Sequence, residues 1–236
     1  MEKKIDFKIL SQPTETTCGS ACLHAIYQYY GDAIKLEQVV SEVTHLDGGG
    51  TLAVFLACHA LRRGYSAMIY TYNLNVFDPT WFGKEGFDIS ERLISQMSAK
   101  NDSKLQIESQ GYLDFLALGG QLRLEDLTTA LIRKYLKRSI PIVAGLSSTF
   151  LYRSSREFGY EGDEDDLRGE PTGHFVVLCG YNKKERTVTV ADPFKLNPFS
   201  DSHHYIISID RVLCSILLGV LTHDANFLII WPNKVT

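Results

Sequence analysis

Four residues of this sequence have the types and spacing needed to attack a carbonyl carbon. Cys18 opens "CGSACLHAIYQYYG", where Ala21, Cys22, Ala25, Ile26 and Tyr29 recur at helical spacing, so a helix is expected over 18–30 with Gly31 as its stop. The thiolate is the nucleophilic form of cysteine, and the unpaired N–H groups and dipole of a helix N-terminus favour it. Gly19 comes next and is expected to let a substrate backbone approach closely. His174 begins one apolar run and Asp192 ends the next, in "GHFVVLCGYNKKERTVTVADPF". The turn residues Asn182 to Glu185 lie midway, and folding this hairpin about Lys183 sets the imidazole and the carboxylate opposite each other as cross-strand neighbours. A cysteine nucleophile needs such a base, and the base needs an orienting partner. Gln12, six residues before Cys18, adds a side-chain amide that with the Cys18 backbone N–H would offer two donors to an oxyanion.

Each residue also has a plainer explanation. Cysteine is among the most often buried residue types. A histidine at a strand start is commonly a satisfied polar residue, and Asp before Pro is a turn signal. The joint placement of all four favours the chemical reading.

The elements that must hold these residues follow from periodicity. Helices are expected over 35–45, in "LAVFLACHALRRG" with Thr51 as its cap and Gly64 as its stop, in "GFDISERLISQMSAK", near 105–118, and in "LRLEDLTTALIRKYLKR". "YSAMIYTY" reads as a strand. From about Ser139 the texture changes to short β-rich runs, "IPIVAGLS", "GHFVVLCGY", "TVTVADPF", "HYIISI" and "NFLIIW", with one helix, "DRVLCSILLG", among them. Helix-rich first and sheet-rich second suits an α+β class, with helices against an antiparallel sheet and a cleft between the halves.

Composition narrows the partners. The chain has 236 residues, a formal net charge of −4 and no long basic run, so a nucleic-acid partner is not favoured. The N-terminus lacks an apolar signal core, and "VLCSILLGVL" is about half a membrane span, so a soluble, cytoplasmic protein is expected. Five cysteines at irregular spacing suit free thiols. Cys18, Cys22 and His24 could be metal ligands with Cys58, His59, His203 or His204, but no second pair has zinc spacing. "DGGG" is not a phosphate loop, and no Gly-x-Ser-x-Gly elbow occurs. Seven acidic residues fall among the seventeen from Arg156 to Thr172, directly before His174. They suit a solvated loop, a recognition loop at the cleft mouth for basic or amine-bearing substrates, or a Ca²⁺ site, although their spacing is not that of an EF-hand.

Gln12, five intervening residues and then Cys-Gly at a helix start resemble the papain-like cysteine peptidase pattern. More narrowly, "TTCGSACLHAIYQYYGD" resembles the C39 and C39-like peptidase family, and "GGTLAVFLACHALRRGYSAMIY" and the His–Asp hairpin resemble its later blocks. The resemblance covers roughly residues 8–72 and 139–198. It implies a papain-like α+β fold, a single catalytic domain over 1–236 with a helix-rich half over about 1–138 and a β-rich half over about 139–236. It also implies Cys18 as nucleophile, His174 as general base and acid, Asp192 as orienter and Gln12 as oxyanion donor. The activity implied is cleavage of a peptide or isopeptide bond in a peptide or protein substrate, without cofactor, metal, nucleic acid or membrane. The same site would serve an acyl- or peptidyl-transferase, and a peptide-binding module without activity would be expected to lose one of the four residues. Two features depart from the exporter members of the family. No membrane helices or ATPase follow, so export-coupled leader processing is not expected. Thr17 stands where those members commonly carry an acidic residue.

Overall fold

The computed structural model describes residues 2–83, 86–159, 162–223 and 225–233. The ten-residue run Gly173–Asn182 (β7) is buried along almost its whole length, the signature of a strand covered on both faces. It forms the centre of the sheet. Its one edge pairs with β4 (Ile142–Ser147) and, further along, β1 (Glu2–Lys4); its other edge pairs with β8 (Thr187–Ala191). The strand order is β3 (Gln121–Arg123), β2 (Tyr65–Thr71), β10 (Asn226–Pro232), β4, β7, β8, β9 (His204–Ser208). β2 and β3 run parallel, and the other neighbours run antiparallel. The edge strand β9 alternates, with Tyr205 and Ile207 buried and Ile206 exposed, as a strand covered on one face must.

Helix α1 (Cys18–Tyr29) packs on β7, with α2 (Leu36–Glu42) and α3 (Ala53–Arg62) beside it. Helices α4 (Ile89–Ala99) and α5 (Ser103–Ala117) follow; α5 packs on α3 and α4 on α5. Their starts are fixed locally, because Asp88 and Asp102 accept hydrogen bonds from first-turn N–H groups. After α6 (Thr129–Leu136) and α7 (Ser148–Tyr152), α8 (Ile209–Leu218) packs against β4 and α7. One contiguous apolar core includes the fully buried rings Tyr27, Tyr70, Phe77, Phe115, Phe175 and Phe227.

The mixed class with an antiparallel-dominated sheet is the one expected, and three details differ. The helix expected across 122–138 begins only at Thr129. Thr128 caps it by accepting from Leu131 N–H at 3.2 Å, and Gln121–Arg123 instead pair with Met68–Tyr70, a long-range contact that local periodicity does not record. Thr51 is not a helix cap: its hydroxyl donates to the Thr44 carbonyl at 2.7 Å and Leu52 holds the cap position. Beside the expected strand β2, the first part of the chain also gives β1 and β3 to the same sheet.

Candidate active site

Cys18 is the first residue of α1, and no side chain caps that helix. Thr17 is in the capping position, but its hydroxyl donates to the Thr14 carbonyl at 2.9 Å and accepts from Thr14 N–H at 3.0 Å. The loop residue that would ordinarily satisfy the first turn therefore folds its own loop, and the first-turn N–H groups face the thiol's surroundings uncapped.

Gly19 has a different reason for being glycine from the one expected. A Cβ there would meet Thr51 Cγ2 at 2.6 Å, Phe175 Cδ2 at 3.1 Å and Leu56 Cδ1 at 3.2 Å. Its missing side chain lets α1 seat on α3 and β7, and it faces the core rather than a substrate. Cys22, one turn after Cys18, donates its S–H to the Phe175 carbonyl at 3.3 Å, fixing the helix to the strand residue next to His174.

His174 and Asp192 meet, but not by the register expected. Val177 pairs with Ala191, Leu178 with Val190, and a bulge then shifts the ladder so that Gly180 faces Thr189. His174 lies three residues beyond the last pair and Asp192 one, so the two are diagonal neighbours on one face. His174 Nε2 donates to Asp192 Oδ1 at 2.8 Å, and the imidazole lies close enough to the Cys18 thiol for the charge on each to act on the other. Cys18 is 9% exposed, His174 7% and Asp192 0%.

The electrostatics of the three are coupled. Burial opposes ionisation of Cys18, but the His174 charge and hydrogen bonds from His174 and the Phe175 and Gly19 N–H groups outweigh it and hold the thiol below its ordinary range. Burial likewise disfavours the charged imidazole, yet Asp192 and Cys18 push His174 up to about 10. Asp192 stays below the usual carboxylate range despite burial, through the His174 charge and its hydrogen bonds. Cys22 moves the opposite way: burial and the charges on Cys18 and Asp192 keep it a thiol.

Residues that sequence reasoning missed complete the surroundings of Asp192. Tyr152 and Tyr205 donate to Oδ2 at 2.7 and 2.8 Å, and Phe194 N–H donates to Oδ1 at 2.9 Å. His203, weighed above as a metal ligand, holds the backbone of Asp192. Its Nδ1 donates to the Asp192 carbonyl at 2.7 Å, and its own carbonyl accepts from Asp192 N–H at 2.8 Å. No local pattern announces these partners, which come from three separate segments.

Gln12 is tied to the same region through its backbone, whose N–H donates to the Pro193 carbonyl at 3.0 Å. Its side-chain Nε2 donates to the Thr14 and Glu15 carbonyls at 3.0 and 3.1 Å, so in this resting arrangement the amide hydrogens brace the loop before Cys18. A cavity of about 530 Å³ is bordered by Gln12 and His174, but not by Cys18 itself. Its lining includes Glu15, Glu157, Glu164 and Arg153 together with Phe194, Leu196 and Pro198. Two of these glutamates belong to the acidic segment, which folds as a small lobe with β5 (Glu157–Phe158) paired to β6 (Asp163–Glu164). Tyr160 and Glu161 of that segment lie outside the described residues.

All five cysteines are free thiols. Among the described residues no group of three or more His, Cys, Asp or Glu side chains could hold a metal ion. His59, one of the residues weighed as a ligand, is bonded to the Tyr27 hydroxyl at 2.8 Å and to Glu42 at 3.0 Å. No described helix is long and apolar enough to cross a membrane.

The sequence matches the Peptidase_C39 like family over residues 4–208. The chain belongs to this family. Among solved structures, a protein described as a C39-like peptidase from Bacillus anthracis shares the fold with a TM-score of 0.51 and 13% identity, covering 98% of each chain. A double glycine motif protease from an AMS/PCAT transporter, solved in complex with the leader peptide, is similar at a TM-score of 0.47 and 16% identity over 98% of this chain and 95% of that one. Xylellain, a cysteine protease from Xylella fastidiosa, is similar at 0.46 and 12% over 99% and 86%. No curated protein matches the chain. Family membership and the mixed fold agree with the resemblance read from the Cys and His–Asp segments.

Proposed function

We propose that this C39-like chain is a cysteine peptidase or amide hydrolase that works through Cys18, His174 and Asp192 as one catalytic unit over its length. The reading rests on one observation: a thiol at an uncapped helix start, electrostatically coupled to a histidine whose Nε2 is held by a buried carboxylate. The Cys18 thiolate attacks an amide carbonyl carbon and the C=O electrons move to oxygen. The Cys18 N–H stabilises the oxyanion, and Gln12 joins it by exchanging one loop carbonyl for the negatively charged oxygen, the stronger acceptor. His174 gives its proton to the leaving amine as the C–N bond breaks, leaving a thioester on Cys18. His174 then takes a proton from water, which attacks the thioester and releases the acid and the thiolate. Asp192 keeps the imidazole oriented throughout and does not itself take the proton.

The substrate of this reading is a peptide or protein segment lying in the cavity beside His174. A mixture of peptides incubated with the protein and weighed by mass spectrometry tests it. Hydrolysis adds the mass of one water across the two products, whereas transfer to an amine does not. Cleavage that vanishes in Cys18→Ala supports the proposal, and Gln12→Ala is expected to slow it by roughly 10²-fold. Cleavage that survives Cys18→Ala refutes it.

A further inference from the structure

Asp192 receives more hydrogen bonds than orienting an imidazole requires. His174 Nε2 and Phe194 N–H converge on Oδ1, and the Tyr152 and Tyr205 hydroxyls converge on Oδ2. An ionised carboxylate has about four lone-pair sites, so this one is saturated. It is also fully buried, and a buried carboxylate missing a donor is strongly disfavoured in its charged form. Both tyrosines remain un-ionised donors, because burial and the charge on Asp192 oppose loss of their protons.

We propose that Tyr152 and Tyr205 are positioning residues that keep Asp192 charged and aimed at His174, Tyr205 from the sheet and Tyr152 from the root of the acidic lobe. This inference rests on the Cys18–His174–Asp192 reading.

The two tyrosines are not equivalent. Tyr205 lies on β9, is 5% exposed, and packs on the Phe199 ring at 4.8 Å between centroids. Tyr152 ends α7 and borders the cavity. The next residue, Arg153, has a left-handed φ of 56°, and there the chain turns away into the lobe. The lobe returns through Thr172 to Gly173 and His174. Ser148 N–H and Oγ–H close its stem on the Thr172 carbonyl at 2.9 and 3.0 Å, and Thr172 N–H donates to Thr149 Oγ1 at 2.8 Å. One carboxylate thus binds a residue at each end of the lobe, Tyr152 on Oδ2 and His174 on Oδ1. Displacing the lobe root removes one donor from Oδ2 and leaves the one from β9.

The test needs no substrate. The rate of Cys18 alkylation by iodoacetamide is followed against pH, with the site located by mass spectrometry. The proteins compared are the wild type, Asp192→Asn, Tyr152→Phe, Tyr205→Phe and the double phenylalanine variant, each checked by circular dichroism. Loss of a donor destabilises charged Asp192, weakens its hold on the imidazolium, and so moves thiolate formation to higher pH. Each single phenylalanine variant is expected to raise the low-pH onset of alkylation by roughly half a unit to one unit, in the same direction as Asp192→Asn. A ring that serves packing alone would change the melting temperature and leave the onset in place. The proposal is overturned if both phenylalanine variants keep the wild-type onset while Asp192→Asn shifts it. If Asp192→Asn also leaves the onset unmoved, or the wild type shows no alkylation at low pH, the ion-pair reading fails and this inference with it. The single variants decide the matter if the double variant does not fold.

Discussion

His174 and Asp192 are bonded at 2.8 Å although they stand two positions out of cross-strand register. Their strands end at different points: β7 runs on past the last ladder pair, and Asp192 begins the turn that carries the chain to Pro193 and Phe194. The carboxylate therefore reaches back diagonally toward the imidazole. Its backbone is held in that turn by His203, and its side chain by the Phe194 N–H on Oδ1.

This coupling makes the cysteines chemically unequal. At pH 6, iodoacetamide is expected to modify Cys18 ahead of Cys22, Cys58 and Cys179, which are buried and held as thiols, Cys58 pushed up to about 11 and Cys179 to about 12. His174→Ala should slow the Cys18 reaction at least about tenfold, because a tenfold change corresponds to a single unit in the thiol's pKa. Peptide mapping after timed alkylation reads both outcomes, and equal labelling of Cys18 and Cys58 would count against the ion pair.

Stability should depend on pH through the same group. The folded-state value of His174 is raised to about 10, above its unfolded value near 6.5. Its contribution is therefore complete below about pH 6.5 and is lost as the pH rises through about 10. The difference in melting temperature between the wild type and His174→Gln is expected to be largest near pH 6 and to shrink toward pH 10. A gap that stays constant over that range would show that the charged imidazole is not stabilised by the fold.

The cavity beside His174 should select by charge. Glu15, Glu157 and Glu164 outnumber Arg153 along its wall. A cationic methanethiosulfonate reagent is expected to modify Cys18 roughly fivefold faster than an anionic one, since about 1 kcal/mol is the scale of one close charge pair in water. The ratio should fall with added salt and in a Glu157→Gln, Glu164→Gln double variant. A ratio near one at low salt would refute an electrostatic role for the acidic lobe at this cavity.

Gly19 should behave as a packing residue. Gly19→Ala drives a Cβ against Thr51 Cγ2, a contact at 2.6 Å, and is expected to destabilise by about 1–3 kcal/mol despite alanine's better helix propensity. Thr51→Ser removes that methyl and should restore part of the loss, although Phe175 and Leu56 remain close. Urea unfolding midpoints of the single and double variants measure it. No rescue by Thr51→Ser would mean that the clash is absorbed elsewhere.

The sequence by itself was enough for the helix at Cys18, the strands around His174 and Asp192, the mixed class and the family. These rest on local periodicity and on residue types that few other arrangements use. The bulge after Leu178, the diagonal approach of His174 and Asp192, and β3 in place of the start of a helix were decided by pairing between segments far apart in the chain. The role of Gly19 is likewise set by what α3 and β7 place against it, and the engagement of Gln12 by how its loop closes. Tyr152 and Tyr205 carry no local mark at all. Each reads as an ordinary aromatic in its own segment, and only the packing of α7 and β9 around a buried carboxylate, which cannot remain charged without donors, turns both hydroxyls onto Asp192.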